Sequence, residues 1–313
     1  MRRSVFLTGC AAACGVLGSP GLASARTRIV DLTPALLPLA GRTGDDAVAA
    51  FRSTILVPHR AVYHAILGTF VEEVTDARIR DYLASLGPLR DRLRDQDAAM
   101  RAAYDALLAN FQKTFPDLAY DRDVYVLPAM YRFDGATRTV RGQPTLLFGI
   151  DGIVSFYPKG TFAFPVIFDH EFFHIYHQQA LGPRLAEFAH WSPMYLELWA
   201  EGAATYVSQR MNPGTSDGVA LLDPSLGELS AAEVANLARA FLSQVNDDDD
   251  ASAVWFSGGA RRDPRVPVRA GYLLGLRAAQ SIGKELAPAE IARLAGAPLL
   301  AQIQTTLRAL SAR

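Results

Sequence analysis

The sequence predicts an α+β protein, mainly helical, with a small, largely antiparallel sheet packed on helices. Three observations lead there. Apolar residues recur at helical spacing on both sides of a central stretch. That stretch, residues 121–158, carries short runs of β-branched and aromatic residues punctuated by glycine. Half of the 313 residues are apolar, enough to bury a substantial core in one large domain or two closely packed lobes.

Residues 1–25 read as a signal peptide and stand outside that fold. Arg2 and Arg3 form a basic start, Val5 to Leu17 is mostly apolar, and Ala23-Ser24-Ala25 fits the small-residue rule for cleavage. Arg2 to Leu7 also resembles a twin-arginine export signal, so the expected location is outside the cytoplasm, periplasmic or secreted. Leu7-Thr8-Gly9-Cys10 resembles a lipoprotein box, but it would leave an unusually short apolar region before the cysteine, and cleavage after Ala25 is preferred. Both cysteines, Cys10 and Cys14, lie inside this segment. The mature chain is therefore expected to form no disulfide and to use no thiolate as ligand or nucleophile.

Charge says little about partners. The chain has 31 basic and 32 acidic residues; without Arg2 and Arg3 the balance is 29 against 32, a net charge of −3. No field favours nucleic acid or an anionic membrane. No run after the signal has the roughly 20 uninterrupted apolar residues that span a bilayer.

Residues 26–120 are expected to be a helical N-terminal region. Ile79, Tyr82, Leu83 and Leu86 share one helical face, and Tyr104, Leu107, Leu108 and Phe111 another; Gly87-Pro88 punctuates the region and Pro116-Asp117 closes it. Within the small sheet, 121–158, strands are expected at 124–127, 137–140, 145–148 and 153–157. Asp134-Gly135 is expected to make a hairpin turn and Asp151-Gly152 a second turn. Residues 165–209 read as two helices, the first stopping at Gly182-Pro183 and the second starting near Pro193. Further helices are expected at 231–245, 270–281 and 288–310, so that 121–313 forms one region carrying the chemistry.

Residues 169–177 read Asp-His-Glu-Phe-Phe-His-Ile-Tyr-His and contain H-E-x-x-H at His170, Glu171 and His174. Positions four apart stand one above the other on a helix, so both imidazoles can reach one tetrahedral zinc ion. Glu171, angled beside them, suits a carboxylate that takes a proton from the attacking water and passes it to a leaving amine. Three fixed residues can arise by chance. Against that reading, four of the six histidines fall between His170 and His190, and Phe168, Phe172 and Ile175 give the helix an apolar side to bury.

A catalytic zinc needs a third protein ligand and one open position. The next helix offers Glu197 and Glu201. Glu201 is the expected ligand, because its neighbours Gly202, Ala203 and Ala204 are small enough to let this helix approach the histidine helix. Glu197 then orients a ligand, faces substrate or is an ordinary exposed glutamate. His177 is seven residues from His170, about 10 Å along the axis, too far to join one ion easily. It reads as a polar helix end, with a histidine that faces substrate or supports a metal ligand from behind as the alternative. Asp169 reads either as a carboxylate that orients a ligand imidazole or as a surface residue.

The pairing of His170-Glu171-x-x-His174 with Glu201-Gly202-x-Ala204 resembles the gluzincin group of metallopeptidases, and more closely a bacterial family of predicted zinc-dependent proteases. Leu147-Phe148-Gly149-Ile150-Asp151 before the motif and Gly271-Tyr272-Leu273-Leu274-Gly275 after it are similar to elements of that family. The resemblance covers roughly residues 120–285. It implies a thermolysin-like catalytic lobe, one Zn²⁺ per chain, and an edge strand, within 145–156, that pairs with an extended peptide or protein substrate. Thr205 stands where thermolysin-like enzymes carry an acid. Tyr272 is the expected donor to the developing oxyanion by this resemblance, with Tyr206, His190 and Arg269 as competitors. Asp247 to Asp250 could bind calcium but read as a solvated loop, and Trp255 and Phe256 either border a cleft or anchor that loop.

The leading expectation is thus an exported zinc peptidase. The alternatives are a zinc-dependent amidohydrolase acting on a non-peptide or cell-wall amide, and a metal-binding scaffold without turnover. An intact Glu171 argues against the last, because a site that only binds metal needs no base.

Overall fold

The protein is described here by a computed structural model covering residues 27–158, 162–246, 249–257 and 263–313. The signal and lipoprotein readings of residues 1–25, and Asp247 and Asp248, lie outside these residues. The chain divides into two compact units among the described residues: 27–108 with 120–162, and 109–119 with 163–313. The architecture is α+β and mainly helical, with one four-stranded sheet.

The first unit holds the sheet. Strands β1 (Ile29–Asp31), β2 (Val124–Leu127), β3 (Gly135–Val140) and β4 (Gln143–Gly149) lie in the order β1-β2-β4-β3. β1 pairs with β2 in parallel, β2 with β4 in parallel, and β3 with β4 antiparallel. The sheet is therefore mixed rather than largely antiparallel, and β1 comes from the segment expected to be wholly helical. β4 lies between β2 and β3, so it is not the edge strand expected within 145–156. The hairpin turn is Arg141-Gly142, both at positive φ (51° and 77°), as a two-residue turn between twisted strands requires. Asp134-Gly135 instead starts β3.

The expected strand at 153–157 is a helix, Ile150–Phe156. Ile150, Ile153 and Val154 are buried at helical spacing, and that packing outweighs the strand preference of the β-branched pair. Gly149 and Gly152 serve a close approach: a Cβ on either would lie 2.3 and 2.0 Å from the Phe133 carbonyl oxygen. Asp151 is fully buried and accepts the Ala129 and Tyr131 N–H groups at 2.6 and 2.7 Å, fixing the connection between β2 and β3. Around the sheet, Ile79, Tyr82, Leu83 and Leu86 are buried as their spacing predicts, with Thr75 capping their helix Asp76–Ser85.

The second unit is helical. Its long elements are the histidine helix Phe164–Leu181, the glutamate helix Pro193–Met211, and helices Ala231–Gln244, Ala270–Gly283 and Gly296–Ser311. Both expected stop and start signals operate. Gly182 ends the histidine helix at φ 49°, its N–H on Gln178 O, and Ser192 caps the glutamate helix through the Tyr195 N–H. Residues 109–119 lock onto the histidine helix by Phe115 against Tyr176 (4.3 Å between ring centroids) and by the Tyr176 hydroxyl donating to Asp117 at 2.8 Å. Among the described residues no helix is long and apolar enough to cross a membrane.

Candidate metal centre

The histidine helix is buried on almost every side. Phe168, Phe172, Phe173 and Tyr176 are all under 2% exposed, as expected of a helix that is apolar around its circumference. Within that setting His170 is 7% and Glu171 8% exposed, so polar groups have been placed in the core at a desolvation cost that needs compensation.

Compensation comes from the glutamate helix. His170 Nε2 lies 3.1 Å from Glu201 Oε2, His174 Nε2 lies 3.3 Å from the same oxygen, and the two Nε2 atoms are 3.1 Å apart. These three atoms form the one cluster of potential metal ligands among the described residues. A tetrahedral zinc with bonds of about 2.0–2.1 Å sets its ligand atoms about 3.3–3.4 Å apart. The triangle is close to that size before any adjustment, and two imidazoles with one carboxylate are a donor set zinc accepts, so the residues fit the ion.

The electrostatics agree with a shared ligand role. Burial pushes His170 down, aided by the charges of His174 and Arg269, against the pull of Glu201. Burial acts the same way on His174, but Glu201 and then Glu171 bring it above the ordinary imidazole range. Burial would raise the Glu201 carboxyl, yet the two imidazoles hold it well below the usual carboxylate range. Glu201 is therefore held as an anion.

Beyond the approach its small neighbours suggest, Glu201 is set by a second close contact. A Cβ on Gly202 would lie 2.2 Å from the backbone carbon of Gly275, and one on Gly275 would lie 2.3 Å from Leu198 O. The missing side chains of Gly202 and Gly275 let the glutamate helix meet helix Ala270–Gly283, and the same helix also packs against the histidine helix. That contact brings in Tyr272, whose ring lies 6.2 Å from His170 at 20° between planes. The Arg269 guanidinium sits 4.3 Å over the other partner of this stack, the Tyr272 ring, and Phe256 packs 6.2 Å from it. Phe256 thus borders the centre, whereas Trp255 is fully buried, donates to Gln244 at 2.9 Å and acts as an anchor.

Other sequence expectations fare less well. His177 is fully buried beside Phe173, and burial, then the charge of His174, pushes it down to about 3; it is neither a polar helix end nor open to substrate. Asp169 is not a surface residue. It is fully buried, accepts from Asn212 Nδ2 at 2.8 Å, and is pushed up to about 7 by burial, with Asn212 opposing. Asn212, the residue that ends the glutamate helix, had no signal beyond its place before Pro213-Gly214. Glu197 is half-buried and accepts from Ser252 at 2.9 Å. Tyr206 packs under Arg210 and against Gly283, and His190 is exposed. Thr205 is fully buried. Asp249 and Asp250 begin helix Asp249–Phe256 rather than a loop.

Compared with protein-family models, with curated proteins and with solved structures, the chain matches none.

Proposed function

We propose that the chain is an exported zinc-dependent peptidase, with His170, His174 and Glu201 holding the ion and Glu171 acting as general base. One observation carries the reading: two imidazole nitrogens and a carboxylate oxygen converge to 3.1–3.3 Å beside a buried glutamate next in sequence to a ligand. The resemblance to gluzincins supports it, and by that reading the helical unit is the counterpart of a thermolysin-like catalytic lobe.

When bound, zinc lowers the pKa of the nucleophilic water and polarises the scissile carbonyl. The chain's own groups do the rest. Glu171 accepts the proton of the attacking water as the C–O bond forms and returns it to the amine nitrogen as the C–N bond breaks. Its burial keeps bulk water from intercepting that proton. Tyr272, whose ring lies 6.2 Å from that of His170, is the proposed donor to the oxygen that gains charge. The substrate is a peptide or protein. Export through residues 1–25 completes the proposal and requires no membrane span in the mature chain.

The test combines one variant with one substrate panel. Zinc-loaded wild type is expected to cleave members of a mixed peptide library, and Glu171→Gln to lose about 10²–10⁴ in kcat while keeping its zinc. Cleavage of non-peptide amides alone would replace peptidase by amidohydrolase. Unchanged activity in Glu171→Gln would overturn the mechanism.

A further inference from the structure

One polar contact between the two ligand-bearing helices has no part in the proposed mechanism. Asp169, next in sequence to the ligand His170, is fully buried, and its Oδ2 accepts from Asn212 Nδ2 at 2.8 Å. Its other oxygen, Oδ1, has no hydrogen-bond partner among the described residues. Asn212 ends the glutamate helix, eleven positions after Glu201. The same Nδ2 also donates to Ser208 O at 2.9 Å, in the last turn of its own helix, so that helix fixes where the donor stands.

Stability does not explain the pair. A buried carboxylate with one oxygen unsatisfied loses more in hydration than a single hydrogen bond restores, and apolar residues in place of such a pair are often neutral or stabilising. What the pair adds is register. Phe168, Phe172, Phe173 and Tyr176 are buried around the circumference of the histidine helix, so apolar burial alone does not choose its rotation or its slide against a neighbour.

Two polar ties do choose. At the first, Glu201 Oε2 meets His170 and His174 Nε2 at 3.1 and 3.3 Å. At the second, Asp169 leaves the histidine helix about 100° round from His170 and meets Asn212, about 16 Å along the glutamate helix from Glu201. Helices tied at two separated points, in two directions, neither turn nor slide without breaking one tie. Only the second is independent of an ion, because the first is made of the groups an ion would take. A ligand set works within about 0.5 Å and 10–20° of its productive geometry, so register decides whether these three side chains form a site.

We propose that Asp169 and Asn212 are positioning residues: their hydrogen bond clamps the histidine helix to the glutamate helix in the register that brings His170, His174 and Glu201 together. The inference rests on the metal centre of the proposed function and is independent of the substrate.

Zinc affinity, measured by competition with a chromophoric chelator, and the thermal midpoint of the metal-free protein separate this role from a plain stabilising one. Asp169→Ala removes the carboxylate and leaves only the half-buried Asn212 amide without its partner. It is expected to bind zinc about 10–100-fold more weakly than wild type, with the metal-free midpoint unchanged or higher. Asp169→Asn drops the charge but keeps an acceptor oxygen for Asn212, and is expected to hold wild-type affinity. Asn212→Ala is expected to match Asp169→Ala in affinity, and the double alanine variant to be no weaker than either, since all three lose the same bond. Zinc bound alike by wild type and every variant overturns the inference and leaves the metal centre standing. A loss that Asp169→Asn shares in full also overturns it, by making charge the cause. A loss in Asp169→Ala matched by a fall in its metal-free midpoint does the same, by making the pair a stabilising contact. Wild-type protein that binds no zinc would overturn the metal centre and the clamp together.

Discussion

Buried acids are handled in opposite ways in the two units. In the sheet unit Asp151 is surrounded by donors that belong to the fold: the Ala129 and Tyr131 N–H groups hold it at 2.6 and 2.7 Å, and burial still keeps its carboxyl above the usual range. In the helical unit Glu201 faces two imidazole nitrogens, groups that repel one another once both are charged and that are held together at 3.1 Å. The first arrangement is complete and serves as scaffold. The second gathers two imidazole nitrogens and a carboxylate oxygen at one point, a donor set that a shared cation would satisfy.

That contrast yields its largest test in metal content. Near-stoichiometric zinc is expected on purified residues 26–313, with none left in the double variant His170→Ala, His174→Ala and a sharp fall in Glu201→Ala, by elemental mass spectrometry. Full zinc in the double variant would break the contrast. Replacing the scaffold acid should do the reverse. Asp151→Asn sets an amide N–H₂ against one of the two backbone N–H groups, costing about 2–3 kcal/mol in urea unfolding while zinc stoichiometry stays at the wild-type value. Zinc lost in parallel with stability would show that Asp151 is not scaffold alone.

How much of this was legible depends on the range over which each feature is encoded. H-E-x-x-H is local: five residues and the helix period suffice to put His170 and His174 on one face. Glu201 was legible as a carboxylate with small neighbours, but the second close contact was not, because Gly202 meets Gly275 seventy-odd positions away and nothing near Gly202 names its partner. The sheet shows the same limit. β3 and β4 were readable as strands, whereas β1 spans three residues, too few for a period, and its parallel pairing of Ile29 with Val124 is fixed by tertiary packing. Residues 153–157 failed for a third reason. Ile153-Val154 carries strand preference, and burial of Ile150, Ile153 and Val154 on one side overrules it. The polar-end reading of His177 and the surface reading of Asp169 fail because a helix in an all-round core has no solvent side to receive polar residues.

The smallest effect concerns a second scaffold acid, and it has a definite sign. Asp97 is 2% exposed, and burial, followed by the charge and hydrogen bond of Asp31, pushes its carboxyl up to about 6; Arg101 and the Thr33 hydroxyl oppose the shift. Arg101 reaches Asp97 at 2.9 Å and Asp31 at 3.6 Å, but it is half exposed, which weakens its hold. Because the folded-state value lies above the ordinary 3.8, the stabilisation from the protonated form is complete below about pH 3.8 and is lost as pH rises through about 6. Asp97→Asn mimics that form at every pH. Relative to the variant, wild type should therefore lose on the order of 1–2 kcal/mol between pH 4 and pH 7 in urea unfolding, with the gap opening above about pH 4 and levelling off near pH 6. A gap that is constant with pH would mean that Asp97 stays ionised in the fold and is fully compensated by its partners.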